Sequence, residues 1–223
     1  MKLASIEDVR HIIRFQENDE TDTLISAALL AATSYLQTAL RNESFEQGSS
    51  YDLFYIEHHQ VASGVYHYNW RLSRGFIDSL QTFTVKVAEN ISDFGDSSKE
   101  EDITGDCLVN YAKGTVSCLD GVSSQSSISG GGVGQIPGKY VRIDYTAGFT
   151  SEDGECFDGV PTWLRDLACY RAVVQMDMVS PELRHDEDSK SKSKPLQSLL
   201  ESMMATRIRY FPGFQDPVGK TFQ

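Results

Sequence analysis

Apolar positions along this chain repeat with two different periods, and the period switches twice. Ile25, Ala28, Leu29, Ala32, Leu36, Ala39 and Leu40 fall at steps of three and four, which lines one face of a helix. The spacing predicts an amphipathic helix that ends near Arg41, and its many alanines suit close approach to another helix. Glu17, Asp19, Glu20 and Asp22 lead into it, where carboxylates complement the positive end of the helix dipole. Ahead of them Ser5 and Asp8 stand in the S-x-x-D spacing that caps a helix. That predicts a short first helix through about Phe15.

From Ser44 to about Thr150 the period shortens to two. The runs 51–56, 65–72, 80–88, 107–110 and 115–119 are rich in aromatic and β-branched residues, with Gly, Asn, Ser and Asp between them. They predict antiparallel strands, and Lys113-Gly114 marks a hairpin between the last two. Tyr66, Tyr68 and Trp70 form an aromatic stripe that suits core packing or a subunit interface; a stacking platform for sugars or bases is the sharper alternative. Residues 93–106, acidic and polar, and 123–134, rich in Ser and Gly, are expected to be mobile loops.

The clearest alternation lies at 140–147, where Val141, Ile143, Tyr145 and Ala147 interleave with Tyr140, Arg142, Asp144 and Thr146. Ala147-Gly148 stops that strand. Pro161 then suits the start of a helix, because its missing N–H would have no partner there. Trp163, Leu167, Tyr170, Val174 and Met178 follow along one stripe. Ser180-Pro181 ends this helix, and a charged segment of mixed sign comes next. Pro195 opens a last helix with Leu196, Leu199, Leu200 and Met203 on one face. The expected fold class is α+β: mainly a helical bundle of about four helices, with an inserted antiparallel β domain. The expected divisions are N-terminal helices over 1–43, the β domain over 44–150, C-terminal helices over 151–209 and an extended tail over 210–223. Pro212 and Gly213 bar that tail from helix. Its aromatic residues Tyr210, Phe211, Phe214 and Phe222, with Arg207 and Arg209 at the base, are expected to dock on another chain; the alternative is a tail folded back over its own bundle.

A net charge of −12 and a pI near 4.8 argue against a surface built to grip nucleic acid, which needs clustered Lys and Arg. An acidic wall would instead let DNA slide past. No apolar run approaches the ~20 residues of a membrane helix. Charges run through the opening residues MKLASIEDVRHIIRF, so no secretory signal is expected and the chain is expected to fold in the cytoplasm.

Cys107, Cys118, Cys156 and Cys169 are widely spaced without a CxxC. They read as isolated, buried or inert thiols, not as a zinc site or disulfide framework. His11, His58, His59, His67 and His185 form no H-E-x-x-H. Around Gly138-Lys139, Val133 and Tyr140 stand where a phosphate-binding loop needs Gly and Ser or Thr. No G-x-S-x-G elbow occurs. The expectation is a protein without catalytic residues, cofactor or metal, and not an enzyme.

The order of these pieces resembles the head–tail connector (adaptor) proteins of tailed bacteriophages. The resemblance rests on EDVRHIIRFQENDETDTLISAALLAATSYLQTAL, on LSRGFIDSLQTFTV from Leu72 to Val85, on a Y-x-x-G-x-V hairpin at 111–116, and on VRIDYTAGF followed by VPTWLRDL. It covers nearly the whole chain. It implies a structural virion protein that forms a ring under the portal, commonly twelve-fold. That ring extends the DNA channel and provides the attachment site for the tail. Portal protein, tail or tail-completion proteins and neighbouring copies are the implied partners. Duplex DNA passes through without specific binding, and the tail residues from Arg207 to Phe222 become a portal or neighbour contact. The implied place is the virion's head–tail interface. Two departures from the family are the longer Ser/Gly stretch before Gln135 and the tail beyond the last helix. The alternative is a β-rich recognition module, from a tail or for carbohydrate, on a helical base. A third is an enzyme whose site is assembled only in the fold.

Overall fold

The computed structural model describes residues 1–12, 18–56, 66–120, 139–179, 193–207 and 215–218. The expectations placed on 123–134, on the charged segment after Ser180, on His58, His59 and His185, and on Arg209, Tyr210, Phe211, Phe214 and Phe222 lie outside them. The described helices are α1 (Ile6–Ile12), α2 (Asp19–Ala39), α3 (Thr162–Val179) and α4 (Ser193–Arg207). The described strands are β1 (Gly48–Tyr55), β2 (Tyr66–Arg71), β3 (Thr84–Ala88), β4 (Glu100–Asp102), β5 (Cys107–Asn110), β6 (Thr115–Asp120) and β7 (Tyr140–Ala147). The fold is α+β, as the change of period predicts. Two compact units divide the chain: Met1–Glu46 with Phe149–Arg209, and Gln47–Gly148 with Tyr210–Gln223.

In the helical unit the caps are built locally. Ser5 donates to Asp8 Oδ2 from both its amide and its hydroxyl, at 2.8 Å each, and Asp8 N returns a bond to Ser5 Oγ at 3.2 Å. These are the reciprocal bonds that the S-x-x-D spacing predicts. For α2 the cap is Asn18, whose side chain accepts from Thr21 N at 2.8 Å; the acidic cluster only surrounds it. Pro161 caps α3 from one position outside, its carbonyl accepting from Leu164 N at 2.9 Å and Arg165 N at 3.1 Å.

The α3 helix packs against α1, α2 and α4. A helix covered on several sides buries more than one stripe. Leu164, Leu167, Ala168, Cys169, Ala172, Val173 and Val174 are all buried. The predicted stripe is therefore widened: its Leu167 and Val174 are buried, and Trp163 and Tyr170 sit half-buried at its margin. On α4, among residues 197–205, Leu200 and Met204 are buried, while Leu199 points outward. Phe149 makes ring contacts in this unit with the buried Phe45, at 6.4 Å, and with Phe157, at 6.3 Å.

The β unit holds two antiparallel sheets, ordered β1-β7-β3-β4 and β2-β6-β5. Residues 140–147 alternate half-buried and buried without a break. Their inward set, Val141, Ile143, Tyr145 and Ala147, joins Phe54, Trp70, Leu72, Val85 and Val116 in one core. Gly148 takes φ 102° at the strand's end, a conformation that glycine reaches without strain. Gly114, with φ 62°, does the same in the β5–β6 turn.

Two expectations are corrected here. The run 80–88 becomes strand only from Thr84; Leu80 is 92% exposed in a turn that the Asp78 carboxylate holds by accepting from Leu80 N at 2.9 Å. Residues 93–106 are built and not loose. They hold β4, which pairs with β3 from Lys86 to Ala88. The Glu100 carboxylate there accepts from Gly95 N at 2.8 Å and pairs with Lys86.

Candidate functional site

Buried polar groups are the first place to look for chemistry, because leaving them unsatisfied is costly. In the β unit Asp52 is wholly buried. Its Oδ2 accepts from Ser73 N at 2.6 Å, from Ser73 Oγ at 3.1 Å and from Tyr145 Oη at 2.7 Å. Ser73 Oγ and Tyr145 Oη also meet at 3.0 Å. Burial, and then the Asp52 charge, push the Tyr145 hydroxyl well above its ordinary value. A serine, a carboxylate and a tyrosine so close together could suggest catalysis. Yet Ser73 is itself fully buried, so no substrate reaches its hydroxyl. The cluster joins β1 and β7 of one sheet to the segment just after β2 of the other, and its role is to hold the two sheets together.

The segment after α4 supplies a second link between the sheets. Gln215 N donates to Asn69 O at 2.9 Å, and Arg71 N donates to Gln215 O at 3.0 Å. This extends β2 in parallel. Arg71 and Asp216 form an ion pair at 2.5 Å, the Gln215 side chain donates to Tyr55 O, and Val218 N donates to Leu53 O at 2.7 Å. Strands β1 and β2 are edges of different sheets, and residues 215–218 bind both. Sheet edges left bare invite pairing with other chains, and this segment covers two of them.

The apolar surface of the unit lies elsewhere. Leu108 on β5 is 71% exposed and Tyr111 in the following turn is half-exposed. The turn bonds to the segment that carries Leu80: Phe76 N donates to Ala112 O at 3.2 Å and Ile77 N donates to Tyr111 O at 2.8 Å. On the outer face of the larger sheet, Arg142 stacks 4.6 Å from the centre of the Tyr51 ring and forks onto Asp144 at 2.7–3.0 Å. Tyr55 and Tyr140 pair beside them at 5.0 Å. A cleft of about 400 Å³ near β4 is lined by Glu89, Asp93, Lys99, Glu100, Glu101 and Lys139 among others. Its charges are mixed in sign. Among the described residues no group of His, Cys, Asp and Glu is arranged to hold a metal ion.

Of the residues singled out for docking, Arg207 is the last residue of α4. His11 Nδ1 lies 2.7 Å from Glu7 O on α1, and His67 stands opposite Leu119 in the β2–β6 ladder. Trp70 is a core residue stacked on Tyr68 at 6.0 Å, so this part of the aromatic stripe is packing. The reading of all four cysteines as isolated is corrected: Cys107 and Cys118 stand directly opposite each other on β5 and β6. Counting outward from the Lys113-Gly114 turn finds that pair, and spacing along the sequence does not.

No protein-family model and no curated protein matches this chain. Two solved structures are similar in part. One is a chain in the virion of a native gene transfer agent particle, at 14% identity over 88% of this chain and 86% of that one, with a TM-score of 0.41. The other is a chain in the neck of an empty gene transfer agent particle computed with C6 symmetry. It is 15% identical over 96% of this chain and 98% of that one, with a TM-score of 0.41.

Proposed function

We propose that this chain is a structural virion protein of the head–tail interface, a connector that forms a ring beneath the portal. The ring extends the DNA channel and offers the tail its attachment site. The observation that carries the reading is the course of residues 139–179. Strand β7 completes a β unit inserted into a helical unit, turns at Gly148, and leads to α3, against which the other described helices pack. This is the segment on which the sequence resemblance to connectors rests most heavily.

Two further features support an assembly role. The polar groups that resemble a catalytic set are buried and committed to holding the sheets together. The exposed apolar side chains of Leu80, Leu108 and Tyr111 surround the β5–β6 hairpin, where a neighbouring copy would find contact area. The proposed partners are the portal protein, tail or tail-completion proteins, and further copies in a twelve-fold ring. Arg207, Arg209, Tyr210, Phe211, Phe214 and Phe222 are proposed as the portal or neighbour contact.

The test is co-expression of the full chain with the portal protein of the same particle, followed by sedimentation and electron microscopy. A ring stacked coaxially on the portal is expected. A chain that stays monomeric at every concentration and sediments apart from the portal would overturn the reading.

A further inference from the structure

The fold brings two of the four thiols face to face. Cys107 on β5 is register-paired with Cys118 on β6. Both point inward: Cys118 belongs to the β unit's core, and Cys107 packs against it half-buried. Directly opposed residues of an antiparallel pair have Cα atoms about 4.5–5.5 Å apart. That lies within the roughly 4.4–6.8 Å that a disulfide spans. Cys107 Sγ donates to Ile103 O at 3.4 Å, which holds it on the inward side of β5. Both are present as reduced thiols. Cys156 and Cys169 belong to the helical unit, and neither has a cysteine opposite it among the described residues.

We infer that Cys107 and Cys118 form a thiol-oxidation site, which a small-molecule disulfide converts into a cross-strand bridge. Cys107 is the more accessible sulfur and reacts first. It gives its proton to water and attacks one sulfur of the small disulfide, whose S–S bond breaks and releases one small thiolate. A mixed disulfide remains on Cys107. The Cys118 sulfur, losing its proton to water, then attacks the Cys107 sulfur and expels the second small thiolate. The two cysteines are oxidised by two electrons, and the small disulfide is reduced to two thiols.

The surroundings set the rate. The hydrogen bond to Cys118 and then burial push the Cys107 thiol far above its ordinary range, so little thiolate exists at neutral pH and exchange is slow there. The product is a hairpin closed across its two strands at the β5 side of the β2-β6-β5 sheet. Particles leave a reducing compartment for oxidising surroundings, so the bridge would form after assembly and fix the edge in place. That last consequence rests on the proposed function, whereas the reactivity of the pair does not.

The experiment exposes the full chain to oxidised glutathione at mildly alkaline pH and reads the intact mass. Expected are a loss of two hydrogen atoms, a bridge mapped to the peptides carrying Cys107 and Cys118, and a rise in Tm that dithiothreitol reverses. The Cys156→Ser/Cys169→Ser double variant behaves the same way. Cys107→Ser gives no bridge. The inference is overturned if Cys107 and Cys118 both remain open to alkylation when the treated protein is denatured. It is equally overturned if the bridge maps to another pair or joins two chains. Should Cys107→Ser fail to fold, the double variant decides alone. Failure of the connector reading would show instead in the portal co-assembly, with the oxidation unchanged.

Discussion

Arg71 ends β2 and Asp216 follows α4, yet they meet at 2.5 Å, with the arginine side chain 3% exposed and the aspartate half-exposed. A buried guanidinium is expensive to leave without its carboxylate. The pair therefore fastens the segment 215–218 to β2, and four more hydrogen bonds, three donated by Gln215 and Val218 and one accepted by Gln215, continue the fastening onto β1 and β2.

Asp216→Ala is expected to destabilise the protein by about 1–3 kcal/mol, less than for a fully buried pair because one partner is open to water. Urea unfolding reads it as a lower midpoint. A midpoint equal to that of the parent protein would mean that the segment is only resting on the sheet.

The cluster at Asp52 predicts a pH effect of definite sign. Tyr145 is raised above its ordinary 10.0 in the folded protein. The folded state therefore holds this proton more tightly than the unfolded state. Its contribution is complete below pH 10 and is lost as pH rises through the folded value. Tyr145→Phe should cost about 1–2 kcal/mol at neutral pH, because Asp52 loses a donor. The variant should also lose stability less steeply than the parent above pH 10. Parallel alkaline curves for the two proteins would contradict this.

Acid acts at β4. Glu100 is held below its ordinary 4.5, first by the Gly95 N–H and then by Lys86. A depressed carboxyl stabilises the fold above its unfolded value and ceases to do so as pH falls through the folded one. Protection of the amides of residues 100–102, relative to their intrinsic exchange rates, is expected to fall as pH drops below 4.5 and through that depressed value, and Glu100→Gln should show the lower protection already at pH 7. Unchanged protection in the variant would remove Glu100 from the account.

Assembly should be separable from folding. Leu80→Asp with Leu108→Asp replaces two exposed side chains, and surface changes of this kind usually stay within about 0.5 kcal/mol. The double variant is expected to keep its urea midpoint and lose the ring formation proposed for the chain. Normal rings would exclude the hairpin from the interface.

Duplex DNA is expected to bind the isolated protein too weakly to detect at physiological salt, since a chain of net charge −12 has few phosphate partners to offer. Salt-sensitive, tight binding in a filter or fluorescence assay would contradict a channel wall that lets DNA pass.

Much of this was legible in the sequence where one face of an element is buried. The alternation at 140–147, the Ser5–Asp8 cap and the Lys113-Gly114 hairpin stand in the structure where their patterns place them. The misses have physical causes. Strand β4 reads Glu-Glu-Asp; it owes its conformation to pairing with β3 and not to propensity. The stripe on α3 widens because three helices cover it, which periodicity along one helix does not encode. Gln215-Asp216-Pro217-Val218 carries no strand signal, because its contacts are backbone bonds and one ion pair. The Cys107–Cys118 pairing was available from the hairpin register but hidden in linear spacing.

The fastening of residues 215–218 also fixes a timetable. Tyr55 and Gln215 are 160 positions apart. At ribosomal rates that gap takes roughly 8–30 s to synthesise. Until then the edges of β1 and β2 emerge uncovered, beside copies made on the same messenger. A helical unit whose two parts flank the β unit waits almost as long for α4. Both units thus mature only once residues 193–218 have emerged, and whatever keeps their early edges apart in the meantime acts on the nascent chain.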